Sequence, residues 1–236
     1  DRVGVAKGRR DEGVAALESL SWADEIIVVD SQSTDSTVAI AREFTDQVIV
    51  REWPGYVAQK NFAAARASHD WIFSLDADER VSPALAVEIT ALVERGPAAA
   101  GYRVPRVTFH LGRWIRSTDW YPDYQLRFYD RRRARWHGRL VHESVTADGP
   151  VTDLRGELLH YAYRDLAHHF QTMDRYTSLA ARQMFEDGRR AGWVDLAMHP
   201  PAAFLRNYLL RGGFRDGVPG LIVSAMNARY GGLRLA

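Results

Sequence analysis

Short apolar runs alternate with amphipathic stretches over the first hundred residues. Residues 26–29, 48–50 and 71–75 are apolar runs typical of strands buried on both faces, and residues 3–6 form a further short candidate. Helical spacing of apolar positions follows these runs, at residues 11–20, 38–44, 57–67 and 83–96. Strands that alternate with helices in this way predict an α/β fold with a parallel sheet built from βαβ units.

Beyond residue 100 the pattern changes to strands mixed with loops. Residues 102–109, 125–129 and 158–161 are the strand candidates, and Pro105 predicts an edge or a bulge for the first of them because proline lacks a ladder donor. The last part of the chain has helical spacing at residues 165–187, 202–210 and 221–230. We therefore expect a C-terminal helical extension after the sheet.

This change of pattern divides the chain. We expect one domain at residues 1–163, whose first half, about 1–100, holds the regular alternation of strands and helices. The second half, about 101–163, is rich in tryptophan and tyrosine, which either pack in the core or stack on sugar rings. Residues 164–236 form the separate helical region.

Composition excludes several classes of function. The 236 residues contain no cysteine, which excludes disulfides and thiolate metal sites. The net charge of +1 gives no overall attraction to nucleic acid, so we expect no nucleic-acid partner. No apolar run approaches the roughly 18 residues of a membrane span, and the first residues show no apolar signal-peptide core. A cytoplasmic protein is expected.

The helical region is basic. Residues 199–236 hold five arginines against one acid, Asp216. Basic amphipathic helices favour an anionic membrane surface, which would place the protein peripherally on the inner face of the cytoplasmic membrane. Packing on the core with a solvated arginine face explains the same pattern equally well, and both interpretations stay open.

Carboxylates follow two of the predicted strands. Asp30 ends the apolar run at residues 26–29, and Asp76 and Asp78 end the run at residues 71–75, before Ser82 opens a helix. Strands of a parallel sheet present their carboxyl ends at one edge, where ligands bind, so these side chains should face one crevice. Paired carboxylates suit a hard divalent cation that carries a phosphorylated substrate. A solvated acidic turn is the plainer alternative.

Taken in order, these segments resemble a known family. The sequence Val-Val-Asp-Ser-Gln-Ser-Thr-Asp-Ser-Thr at residues 28–37 is similar to the nucleotide-binding turn of inverting family 2 glycosyltransferases. Leu-Asp-Ala-Asp-Glu at 75–79 resembles their Asp-x-Asp motif, and Trp-Pro-Gly-Tyr-Val-Ala-Gln-Lys-Asn at 53–61 resembles the segment between the two. Each motif is weak alone, whereas their order and spacing are specific.

Three further segments narrow the resemblance. Leu-Val-His-Glu at residues 140–143, His-Tyr at 160–161 and Leu-Arg-Gly-Gly-Phe-Arg-Asp-Gly-Val-Pro-Gly at 210–220 are similar to the bacterial lipopolysaccharide core β-1,4-glucosyltransferase branch. The match runs from about residue 12 to the end of the chain. One departure is that the Asn-Glu pair that ends the family's first strand is missing near residues 8–10.

The resemblance implies a GT-A fold, a nucleotide-sugar donor that is UDP-linked, a glycan or glycolipid acceptor, and a divalent cation, Mg²⁺ or Mn²⁺. Asp30 would contact the uracil, and the polar turn with Ser31 and Ser33 would line the nucleotide pocket. Lys60 would lie near the nucleotide. Asp78 would ligate the metal, with Asp76 either joining it or facing the ribose.

An inverting transfer also needs a base that deprotonates the acceptor hydroxyl. Glu143 is the first candidate because it belongs to the motif that closes the acceptor-side region, and His142 is the second. Neighbouring residues on a strand point in opposite directions, so only one of the two is expected to face the site. Asp119 and Asp123 remain further candidates.

Three functions therefore stay open at this point. The first is transfer of a sugar to a lipopolysaccharide core or another cell-envelope glycan. The second is transfer of a sugar to a polyprenyl phosphate on the same fold, which the basic C-terminal region fits as well. The third is a non-catalytic relic that binds nucleotide-sugar, which the missing Asn-Glu pair favours.

Overall fold

The computed structural model describes residues 2–5, 10–138, 143–188 and 190–233, and their side chains from residue 13 onward. The strands are β1 (Arg2–Val5), β2 (Ile26–Asp30), β3 (Val48–Val50), β4 (Trp71–Asp76), β5 (Glu79–Val81), β6 (Gly101–His110), β7 (Arg113–Ile115), β8 (Asp123–Asp130), β9 (Ala134–His137), β10 (Ser144–Ala147), β11 (Val151–Asp153) and β12 (Leu158–His160). The α-helices are α1 (Arg10–Glu18), α2 (Thr37–Phe44), α3 (Tyr56–Arg66), α4 (Pro83–Arg95), α5 (Leu166–Glu186), α6 (Trp193–Leu205) and α7 (Gly217–Leu233).

The main sheet has the strand order β3-β2-β1-β4-β8-β6-β12-β5. Its first four strands are parallel, and β8 is antiparallel to β4. The predicted α/β fold with a mostly parallel sheet and C-terminal helices is confirmed. Because β1 pairs with both β2 and β4, the carboxyl ends of these two strands lie at one edge, one strand apart.

Burial on both faces explains why the parallel strands are continuously apolar. Along β4, Phe73 packs on one side with Leu85 and Leu158, while Ile72 packs on the other with Ile27 and the alanines of α3. Side chains alternate along a strand, so helices on both faces require an apolar residue at every position. The acids appear only where the strands leave this core.

Two local expectations differ from the structure. The acids of residues 76–79 do not lead directly into a helix, because Glu79 begins the short strand β5, which pairs with β12. Ser82 then caps α4 through a 3.2 Å bond from Leu85 N, as predicted. Of the edge or bulge expected at Pro105, the edge is wrong and the bulge stays a prediction: β6 lies between β8 and β12, and the partners β11 and β7 pair only with its two ends.

The chain divides into two compact units. The first contains Asp1–Arg106 and Tyr124–His160, and the second contains Val107–Asp123 and Tyr161–Ala236. In the second unit, α6 continues into a π-helical turn (Arg206–Leu210), and a 3₁₀ turn (Gly213–Asp216) leads into α7. Among the helices described, none combines the length and the apolar character needed to cross a bilayer.

Candidate functional site

The first part of the candidate site is the turn that follows β2. Asp30 is fully buried at the end of this strand. Its carboxylate accepts bonds from the Ser33 backbone N–H at 2.8 Å and from the Ser33 hydroxyl at 2.5 Å. These two bonds fix the turn against the strand end. Each carboxylate oxygen has a second lone pair, and because Asp30 is fully buried a ligand reaches it only when this turn moves.

Three consecutive residues of α3 connect the parts of the site. Gln59 donates to the Ser31 hydroxyl at 3.2 Å, and Lys60 reaches the Asp76 carboxylate with Nζ at 2.9 Å from Oδ1. Asn61 forms two bonds with the backbone of Trp136, at 2.9 and 3.0 Å. One helix therefore holds the ends of β2 and β4 and the strand β9 in fixed relation.

Asp76 lies between two buried cations. Besides Lys60, the guanidinium of Arg127 on β8 approaches it, with Nη2 2.7 Å from Oδ2. Burial acts to raise the pKa of Asp76, but the charges of Arg127 and Lys60 outweigh it and hold this pKa well below its usual range. The carboxylate is therefore ionised at any physiological pH, and both of its oxygens are engaged.

Glu79 also belongs to this ion-pair network. It is fully buried, and its Oε1 accepts from Arg127 at 2.6 Å and from Arg106 at 3.1 Å. Its other oxygen accepts the backbone N–H of Asp76 at 3.1 Å. Buried charges are tolerated when they are paired and hydrogen-bonded, and this glutamate meets that condition on both oxygens.

An aromatic ring covers the two cations that hold Asp76. The Lys60 ammonium lies 4.0 Å from the ring centroid of Trp136, and the Arg127 guanidinium carbon lies 5.6 Å from it. The ring is almost completely buried. A tryptophan face attracts cations that have lost their hydration, so Trp136 contributes to stabilising both buried charges. Core packing and stacking on sugar rings were the two expected uses of the aromatic residues, and Trp136 packs in the core.

Asp78 has a different environment from Asp76. It lies in the turn between β4 and β5, with its carboxylate half-exposed and Oδ2 3.4 Å from Nε2 of His160. Burial acts to raise the pKa of Asp78, but the hydrogen bond and charge of His160 lower it by more, so the pKa lies below its usual range. Across the described part of the chain, no three acidic or histidine side chains form a metal site.

Of the two candidate bases, the structure describes Glu143 alone. His142 is outside the described residues. Glu143 is partly buried and directly precedes β10, two positions before Val145, which pairs with Trp136. Residues two apart share a face in an extended chain. Glu143 therefore precedes by two positions the residue that pairs with Trp136, whose ring covers Lys60 and Arg127.

The alternative base Asp119 is committed elsewhere, within the second unit. Its carboxylate pairs with the guanidinium groups of Arg206 and Arg211 and accepts a 3.0 Å bond from the side chain of Asn207. These contacts hold Asp119 within the packing of the second unit, and its role as a base stays a prediction.

Several residues of the site were not identified as functional from the sequence. Arg127 and Glu79 belong to strands whose partners could not be predicted, and Trp136 was considered only as a general aromatic residue. The usable signal was the single charge of Arg127 between apolar and aromatic neighbours, Leu-Arg-Phe-Tyr at residues 126–129. A charge at such a position requires a buried partner.

Known proteins resemble this chain in sequence and structure. The family described as Glycosyl transferase family 2 matches residues 14–147. The lipopolysaccharide core biosynthesis glycosyltransferase LpsC of Rhizobium meliloti (strain 1021) is 33% identical over 227 residues, which are 93% of this chain and 84% of the relative. The uncharacterized glycosyltransferase RP128 of Rickettsia prowazekii (strain Madrid E) is 30% identical over 224 residues, 90% of this chain and 77% of its own length.

A solved structure shares the fold at low sequence identity. It is the mannosyltransferase PcManGT from Pyrobaculum calidifontis in complex with GDP-Man and Mn²⁺. The two chains are 14% identical with a TM-score of 0.50, and the match covers 95% of this chain and 72% of the mannosyltransferase.

The ion-pair network predicts a pH-dependent contribution to stability. Asp76→Asn should lower the free energy of unfolding by about 3 kcal/mol at pH 7, because it leaves Lys60 and Arg127 buried without their shared anion. The folded-state pKa of Asp76 lies below that of the unfolded chain, about 3.9. Its stabilisation is therefore complete above that pH and is lost as the pH falls further.

Urea unfolding of wild type and Asp76→Asn between pH 3 and pH 7 measures this difference. The control is Asp153→Asn, which removes the exposed pair with Arg103 and should cost less than about 1 kcal/mol. Equal costs for the two substitutions, or a cost for Asp76→Asn that stays constant down to pH 3, would contradict the assignment.

Proposed function

The chain belongs to glycosyltransferase family 2 and has the GT-A fold, and from this premise we propose that it transfers a sugar from a UDP-linked donor to an acceptor of the lipopolysaccharide core or another cell-envelope glycan. The transfer inverts the configuration at the anomeric carbon and is assisted by Mg²⁺ or Mn²⁺. The observation that carries the proposal is that α3 joins the buried Asp30 turn to the Asp76 end of β4. The relative named for lipopolysaccharide core biosynthesis supports the acceptor class.

Donor binding is assigned to the turn after β2. Asp30 accepts the uracil N–H with the lone pairs that Ser33 leaves free, while Ser31 and Ser33 line the pocket. Because Asp76 already balances Lys60 and Arg127, it has little charge left to offer a metal, and the ribose hydroxyls are the better partner for it. Lys60 then lies near the nucleotide, where it holds the Asp76 carboxylate.

The residues around Asp78 fit a cation that is bound mainly by a diphosphate and takes few ligands from the protein. Mg²⁺ in such sites is held by one or two carboxylates together with substrate phosphates and water. Asp78 supplies a half-exposed carboxylate, and His160 lies beside it. When bound, the cation neutralises charge on the departing diphosphate.

Glu143 takes the role of the base. Its carboxylate receives the proton of the acceptor hydroxyl while that oxygen forms a bond to the anomeric carbon. The bond from the anomeric carbon to the diphosphate breaks on the opposite side, and UDP leaves with the electron pair. The products are the inverted glycoside and UDP. Residues 139–142, including His142, lie outside the described part of the chain, so His142 remains the alternative base.

The proposal as a whole is tested by a panel of UDP-sugars with Mg²⁺ or Mn²⁺. Release of UDP should be stimulated by the metal and by a lipopolysaccharide core acceptor, and Asp78→Ala should abolish both effects while the thermal unfolding curve is unchanged. Stimulation by polyprenyl phosphate instead would support the second enzymatic function. Absence of any metal-stimulated turnover in wild type, with UDP binding retained, would support the non-catalytic relic.

Asp30→Ala should weaken UDP binding by about tenfold or more while the rate at saturating donor changes less. A contact to the base is made equally in ground and transition states, so its loss raises KM more than it lowers kcat. Calorimetry of UDP binding measures the effect. Asp35→Ala is the matched control, because Asp35 lies in the same turn but is exposed and bonds only locally to Thr37. Unchanged affinity in Asp30→Ala would remove Asp30 from the pocket.

Glu143→Gln should lower turnover by about 10²–10⁴-fold, since the amide keeps the size of the side chain but cannot accept the proton. UDP affinity should hardly change, because Asp30, Asp76 and Asp78 hold nucleotide and metal. UDP titration and transfer rate are both measured, with Glu94→Gln, an exposed glutamate of α4, as the control.

His142→Gln distinguishes the two candidates. If His142 contacts the metal or diphosphate, its substitution changes donor affinity and metal dependence together. Near-normal turnover of Glu143→Gln would transfer the role of base to His142 or Asp123. Loss of UDP binding in Glu143→Gln would instead assign Glu143 to the donor site.

A further inference from the structure

Helix α6 and the π-helical turn after it expose apolar side chains along one side. Trp193 is 89% exposed, Val194 73%, Met198 61%, Leu205 52% and Leu209 53%. From Val194 onward the spacing of these residues is four or seven, which places them in one row along the helix. We call these five residues the apolar stripe. At 1.5 Å per residue the row is about 24 Å long.

Polar contacts fix the rotation of this helix, so the apolar stripe cannot turn inward. Asn207 is fully buried on the opposite side, and its amide makes four hydrogen bonds. It donates to Ala203 O and to the Asp119 carboxylate, and it accepts from Asp119 N and Asn227 Nδ2, at 2.8–3.0 Å. A buried amide with all its bonds made is costly to remove from its site. The outward direction of the apolar stripe is therefore enforced by the packing.

The charges around the apolar stripe have one dominant sign. Residues 190–216 contain four arginines, Arg190, Arg206, Arg211 and Arg215, against Asp195 and the buried Asp216. The Asp195 carboxylate caps the start of α6, since it accepts a hydrogen bond from the backbone N–H of Gly192 at 2.9 Å. Arg206 and Arg211 pair with Asp119 but keep about half of their side chains exposed. A partner for this surface must accept an apolar row and carry negative charge.

We propose that the apolar stripe docks on an anionic phospholipid bilayer, with α6 lying in the plane of the interface. An interface of this kind receives apolar side chains to a depth of about 5–10 Å while flanking arginines contact the headgroups. Tryptophan at one end and arginines at the flank are residues that prefer this boundary. The link from this docking to catalysis rests on the proposed function, in which the acceptor belongs to a cell-envelope glycan.

Flotation with vesicles tests the proposal without donor or acceptor. Wild type should bind vesicles of 70% phosphatidylethanolamine and 30% phosphatidylglycerol and should not bind pure phosphatidylcholine. Val194→Ser with Leu205→Ser should weaken binding by about tenfold or more. The matched control is Val87→Ser with Val93→Ser, two valines of α4 with similar exposure, 70% and 45%, which should bind like wild type.

Two further measurements identify the mode of contact. Arg190→Gln and Arg215→Gln should each weaken binding about fivefold at low salt, and added NaCl should remove this difference. The tryptophan emission maximum of wild type should shift to shorter wavelength when the protein binds vesicles. The Trp193→Phe protein should lose most of that shift.

Other outcomes would overturn the proposal. If wild type binds neither vesicle, or if the two serine pairs reduce binding equally, the apolar stripe is not a lipid-docking surface. If wild type sediments as a dimer and the Val194→Ser, Leu205→Ser protein as a monomer, a second copy of the chain covers the stripe instead. UDP binding in buffer, measured on the same samples, should be unaffected, so a failure of the donor site is seen separately.

Discussion

Asp76 held between Lys60 and Arg127 is the interaction on which the rest of the site depends. Three ionised groups from α3, β4 and β8 meet within hydrogen-bond distance, with two of them almost entirely buried. Charges out of water are stable only as a set, because removing one leaves the others uncompensated. The three elements therefore depend on each other through these charges as well as through apolar packing. Trp136 contacts Lys60, and Glu79 pairs with Arg127, which completes the set.

Helix geometry explains how one short segment can serve this set and the nucleotide turn together. Successive residues on an α-helix point about 100° apart. Gln59, Lys60 and Asn61 consequently reach three different places: the turn after β2, the end of β4 and the backbone of β9. Three adjacent residues on a strand could not reach three directions, since a strand has only two faces. The position of α3 thus couples the donor turn to the hairpin that carries Glu143.

Much of the fold and about half of the candidate site could be predicted from the sequence. The apolar strands, the helices between them and the shared edge of Asp30 and Asp76 follow from local patterns and from the rules of parallel sheets. Arg127, the partner of Asp76, could not be predicted, because the pairing of β4 with β8 brings together residues that are 51 positions apart. The same limit applies to His160 beside Asp78, and to the inner position of Pro105 in β6. Local sequence determines which segments are strands, whereas pairing across the sheet is set by the whole chain.

The C-terminal helices show where the usual pattern rule fails. Apolar residues are expected inward and polar residues outward, yet Asn207 is fully buried while Leu205 and Leu209, two positions to either side, are half-exposed. The inversion is stable because the Asn207 amide has four partners, which removes the cost of burying it. Asp119 is one of these partners and also pairs with Arg206 and Arg211, so its carboxylate takes part in the packing of the second unit. A sequence shows that a helix is amphipathic, but only the hydrogen bonds of its polar residues determine which side the fold buries.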